Sequence, residues 1–180
     1  MKEIVIPDKE FYDETNERFV VFKSEKLQIE HSLFAISKWE SKHKKPFLSK
    51  ESMTAEETFD YIKCMSLNEL SNPIGYYCLS NDNMKEINAY MTDPMTATTI
   101  TRRDNKPPSR EILTAEVIYY YMTALNIPFE CQYWHLNKLF TLIEVASIKS
   151  QPPKKMGKNQ TMKSNAALNA ARRRATHSKG

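Results

Sequence analysis

Glycine is what this sequence most conspicuously lacks. Its 180 residues hold three: Gly75, Gly157 and Gly180. Doubly wound nucleotide-binding folds and tight hairpin-rich barrels need glycine at left-handed turns and phosphate loops, so neither fits. The patterns GxxxxGK[ST], GxGxxG and GxSxG are all missing. Cysteine is scarce too. Cys64, Cys78 and Cys131 are odd in number and lack the spacing of a disulfide framework. No apolar run approaches the roughly 18 residues that cross a membrane. The opening Met1–Pro7 has only a short apolar stretch, not a secretory signal. A reducing cytoplasm is the expected compartment.

Acidic residues are absent from one region altogether. Residues 151–180 hold eight Lys/Arg and no Asp or Glu, while residues 1–150 hold 18 Lys/Arg against 22 acids. The sequence therefore predicts two parts. Residues 1–150 form a mildly acidic domain, long enough to bury a core without staples. Residues 151–180 form a basic tail without fixed structure, since large hydrophobes nearly vanish after Lys154. A transient helix over 166–174 is too short to stand alone.

Strands are expected within residues 2–30 and helices within 32–149, making the chain mainly α with a small N-terminal antiparallel β-element. Residues 2–6, 18–23 and 26–30 read as strands, with turn formers over 11–17. A helix follows His31-Ser32 and stops before Pro46. Thr54-Ala55-Glu56-Glu57 is a capping box, followed by Phe59, Ile62 and Met65 on one face. Ser80 or Asn81 caps a helix carrying Met84, Ile87, Tyr90 and Met91. Residues 92–109 read as the longest loop. Ser109 then leads a helix with Ile112, Leu113, Val117, Tyr120, Tyr121 and Ala124 on its apolar side. From Pro128 a last long helix carries Phe129, Tyr133, Leu136, Phe140 and Ile143 in a stripe expected to pack on the preceding helix.

The residues that carry chemistry are few. Cys131 and His135, four apart on that last helix, are the best metal-ligand or nucleophile pair available, but two further ligands and an oxyanion loop are wanting. Glu56, Glu57 and Asp60 form an acidic cluster, better explained by a first helical turn opposing the macrodipole than by acid–base work. Trp39, Trp134 and Tyr119–Tyr121 suit core or protein interface more than base stacking. Arg102, Arg103, Lys106 and Arg110 either grip phosphate or decorate a solvated loop. Lys154, Lys155, Arg172, Arg173 and Arg174 in the tail attract either nucleic acid or an acidic protein surface. No catalytic centre, cofactor site or metal site is expected.

Several segments together resemble a known family: residues 27–33 (LQIEHSL), 37–42 (SKWESK), 45–49 (KPFLS), 61–65 (YIKCM), 94–98 (PMTAT), 127–132 (IPFECQ), 134–137 (WHLN), 151–155 (QPPKK) and 165–172 (NAALNAAR). The likeness is to tail assembly chaperones of long-tailed bacteriophages. It covers nearly the whole chain and rests on sequence character, not on a chemical motif. It implies a non-enzymatic protein of tail morphogenesis. Such a protein binds the tape-measure protein or other tail proteins in the host cytoplasm, with at most transient attachment to the assembling virion. The 112–148 helices are the expected docking surface, with Tyr120, Tyr121 and Trp134 as contacts and Lys154, Lys155 and Arg172–Arg174 as auxiliary ones. A homo-oligomer is compatible with this. The alternatives are a small nucleic-acid-binding accessory protein and a structural head–tail component.

Overall fold

A computed structural model describes residues 1–13, 17–49, 52–100, 112–150 and 158–176. The loop cations Arg102, Arg103, Lys106 and Arg110, the cap candidate Ser109, and Lys154 and Lys155 lie outside the described residues. The chain divides into two units, Met1–Ile148 and Lys149–Gly180.

The first unit opens with one long antiparallel hairpin bent in the middle. β1 (Lys2–Ile6) pairs with β4 (Glu25–Ile29), and β2 (Lys9–Asp13) pairs with β3 (Arg18–Phe22). Lys2 faces Ile29 and Lys9 faces Phe22, so the register carries through the bend unchanged. Pro7 causes the break, because it has no N–H to give the ladder. Asp8 Oδ1 then accepts the Ser24 N–H across it. The bend also swaps faces. Ile4, Ile6, Leu27 and Ile29 point into the core in the near half, and Phe22 in the far half. Residues 11–17 were expected to form a turn, and Phe11–Asp13 of that stretch lie in β2. Pairing with β3 holds them extended instead.

Among the described residues of this unit five α-helices and two 3-10 helices follow, and the first three α-helices are capped as the sequence dictates. α1 (Leu33–His43) starts at Ser32, whose Oγ accepts the Ala35 N–H. α2 (Ala55–Met65) carries the full capping box between Thr54 and Glu57. A 3-10 helix, Pro73–Cys78, leads to α3 (Asn81–Thr92), capped by Ser80. α4 (Ala115–Ala124) begins later than expected, with Thr114 at its cap. Its chain reverses at Asn126, which takes a left-handed φ of 52°, and the Ile127 N–H returns to the Met122 carbonyl.

The expected long helix from Pro128 is two elements. A 3-10 helix spans Phe129–Tyr133, and α5 spans Leu136–Ser150. The break at Trp134-His135 is a tertiary effect: His135 bridges Ser32, and the Leu136 N–H donates to the His31 carbonyl at 2.7 Å. Phe129 and Tyr133 are consequently exposed, not members of a buried stripe.

The core lies where α1 packs on α2, α4 and the 129–133 turn, and where α3 covers β1. Trp39, Leu33, Ile36, Ile62, Met65, Ile87, Ile118 and Met122 are its largest helical members. Packing requires glycine at Gly75, the one glycine among the described residues. A Cβ there would lie 2.6 Å from the Phe22 ring, so glycine lets the hairpin's far half lean on the 73–78 turn.

In the second unit the expected 166–174 helix is longer. α6 runs Lys158–Thr176. It contains no Gly or Pro, is rich in Ala, and places Arg173 and Arg174 in its last turn, where cations favour the dipole.

Candidate functional site

α4 and α5 stand apart along most of their length. α4 gives Ala115, Ile118 and Met122 to the body. α5 is anchored by Leu136 and Leu139, and every residue from Phe140 to Ser147 is only half-buried, with Phe140, Leu142, Ile143 and Ala146 touching the core. The gap is an open groove of about 780 Å³. Leu113, Ile118, Tyr121, Leu125, Phe140 and Ile143 line it, with Tyr120 and Ile148 as more exposed members. Ile118, Tyr121 and Leu125 on α4, and Phe140, Ile143 and Ser147 on α5, follow helical i, i+3, i+7 spacing, so each helix turns a two-turn stripe to the gap. Ala124 and Ser147 are too small to close it. Glu144 is the one charged residue among the described residues of its wall.

The expected docking residues separate here. Tyr120 and Tyr121 lie in the groove. Trp134 does not line it, and sits 39% exposed beneath the Lys138 ammonium, 4.4 Å from its ring centre. Arg172–Arg174 lie on α6 in the other unit. The groove's inner wall was read differently from the sequence. Phe140 and Ile143 were expected to close against the preceding helix, and Leu125 and Ile118 were not singled out. Their i, i+3, i+7 spacing was the available signal.

The other candidates find structural partners. Cys131 and His135 are on different elements. Burial pushes the Cys131 thiol up, away from a reactive thiolate. His135 has both ring nitrogens engaged: Nε2 is 3.0 Å from the Tyr90 carbonyl, and Nδ1 accepts the Asn137 N–H at 3.3 Å. In the acidic cluster, Glu57 takes a hydrogen bond from Lys45 at 2.6 Å while capping α2, and both contacts hold its carboxyl below the usual range. Lys42, 2.5 Å from Asp60, does the same for that carboxyl. Trp39 is core, its Nε1–H donating to the Glu57 carbonyl at 2.9 Å.

Two features were invisible in the sequence. Glu40 is a buried carboxylate in α1 whose oxygens accept the Phe47 and Ala115 N–H groups, each at 2.8 Å. Thr114 supplies no side-chain cap to α4, and Glu40 caps it from another helix. The second is a buried histidine pair. His31 and His135 rings lie 5.3 Å apart, and His31 Nδ1 shares a 2.5 Å hydrogen bond with Tyr61 Oη. Burial, with His135 alongside, lowers the His31 pKa to about 4.

Among the described residues no cluster of three His, Cys, Asp or Glu is placed to hold a metal ion, and no helix is long and apolar enough to cross a membrane. Comparison with family models, curated proteins and solved structures finds no match.

Proposed function

We propose that this chain is a non-enzymatic tail assembly chaperone that holds an amphipathic helical segment of a bacteriophage tape-measure protein in the α4–α5 groove. The groove carries the reading. Its lining runs about two turns along each helix and is apolar but for Ser147 and Glu144, the footprint of a helix laid between two others. Tyr120 and Tyr121 offer broad contact area with a polar end. The resemblance to tail assembly chaperones supplies the partner, a long helical rod that must stay soluble while tube subunits polymerise around it in the host cytoplasm. Binding, not catalysis, suits a body whose histidines, thiols and carboxylates are committed to structure.

A second reading has its own support. α6 presents Lys163 and Arg172–Arg174, and its sequence holds no acid, a pattern suited to phosphate backbones. Salt separates the two. Nucleic-acid binding through about six contacts weakens by roughly 10³-fold between 50 and 200 mM salt, whereas apolar docking does not.

The test is co-expression with the tape-measure protein and nuclease-treated affinity capture, comparing the wild-type chain with Ile143→Glu. The reading expects wild type to retain the rod and Ile143→Glu to lose at least about tenfold of it, with unchanged circular dichroism. Equal capture by both, or a wild-type chain that brings down only nucleic acid before nuclease treatment, overturns it.

A further inference from the structure

The far half of the hairpin is a two-stranded ribbon, and such ribbons are marginal in water unless something extends or covers them. β3 approaches the 73–78 turn through Phe22 and Gly75. β2 sets only Phe11, half-buried, against the core among its described side chains. Among the described residues no backbone hydrogen bond from outside the ribbon reaches it. Alternate N–H and C=O groups of β2 point away from β3, so its outer edge is open to another strand.

The sequence of that edge is Lys9-Glu10-Phe11-Tyr12-Asp13, and it is complementary to itself. Laid antiparallel on a second copy about Phe11, it sets Lys9 opposite Asp13 at both ends, Glu10 opposite Tyr12, and Phe11 opposite Phe11. The pairing with β3 extends the match outward, because Lys9 faces Phe22, Phe11 faces Val20 and Asp13 faces Arg18. Across four strands, one row would run Val20, Phe11, Phe11, Val20. The opposite face carries Tyr12 and Phe19 as a cross-strand pair with ring centres 5.1 Å apart, beside Val21, all more than half exposed. β3 offers no equivalent: self-pairing about Val20 sets Arg18 against Phe22.

We propose that β2 is a self-association edge, through which two copies join about a twofold axis at Phe11 into a four-stranded antiparallel sheet. The contact is isologous, so it closes as a dimer and does not propagate. It involves neither the groove nor α6.

Charge exchange on the full chain tests it, read by sedimentation or light scattering. The wild type should dimerise at concentrations up to about 0.1 mM. Lys9→Asp makes the edge acidic at both ends, and Asp13→Lys makes it basic at both. Each alone should raise the dimer dissociation constant at least about tenfold, since like charges then oppose each other twice. An equimolar mixture of the two variants should regain the dimer, as should the chain carrying both changes. The mixture also serves as the control for folding. A wild-type chain that stays monomeric, a dimer indifferent to either single change, or two single variants that fail to associate when mixed would each overturn the proposal.

Discussion

Two helix pairs in this protein meet in opposite ways. α1 and α2 are closed on each other. Trp39 fills their interface and donates to the Glu57 carbonyl, and Lys42 and Lys45 bind Asp60 and Glu57 across its edge. α4 and α5 follow one another through the 3-10 helix at Phe129–Tyr133, yet they leave an apolar groove between them. The closed pair places a large ring and two ion pairs where the helices approach. The open pair places Ala124 and Ser147 there, and bulky Tyr121, Leu125, Phe140 and Ile143 on either side. Adjacency in sequence brings two helices near each other, but packed volume decides whether they touch.

That contrast can be broken from the closed side. The largest effect is expected at Glu40. Glu40→Ala leaves the Phe47 and Ala115 N–H groups buried without acceptors and uncaps α4, for a loss of about 3 kcal/mol in unfolding free energy by denaturant titration. Glu40→Gln should lose less, since one carbonyl oxygen remains. If α4 were held mainly by its own apolar face, both variants would stay near wild type.

A comparable loss is expected on acidification. The unfolded chain protonates His31 near pH 6.5, while the folded chain resists until about 4. Stability is therefore untouched above pH 6.5 and falls as pH drops from 6.5 to 4, by up to about 3 kcal/mol in total. His31→Gln should flatten this slope. An unchanged slope would assign the acid loss to carboxylates such as Asp60 and Glu57. Their depressed pKa values remove stability at lower pH, as those carboxylates protonate.

The open pair should respond least in stability. Ile143→Ala removes a half-buried side chain from a groove that is already open, so an unfolding change of about 1 kcal/mol or less is expected. A loss above about 2 kcal/mol would mean that α4 and α5 are packed on each other in solution.

The parts of the fold written in local chemistry were legible. Thr54 and Glu57 announce α2 within four residues, and Ser80 announces α3. Lys2–Ile6, Arg18–Phe22 and Glu25–Ile29 carry strand composition. The parts decided by distant contacts were not. β2 reads as a turn because Asp13 is followed by Glu14, Thr15 and Asn16, and only its pairing with β3 keeps it extended. The helix expected from Pro128 breaks because His31 and Ser32, about a hundred residues earlier, capture the backbone at His135 and Leu136. For the groove, Tyr120 and Tyr121 were legible as aromatics on the apolar side of their helix; Tyr120 is exposed and Tyr121 half-buried. Phe140 and Ile143 looked identical to core positions, because a stripe that faces a gap and a stripe that faces a neighbour have the same spacing. Arg172–Arg174 were legible as basic, but α6 is longer than residue-by-residue propensity indicated.

The most direct test of the account is hydrogen exchange on the full chain, free and bound to a helical segment of the tape-measure protein. The account predicts that amides of α4 and α5 around Tyr121, Leu125, Phe140 and Ile143 slow on binding, while those of α1 and α2 stay as they were. Slowing confined to α6, with α4 and α5 unchanged, would contradict it.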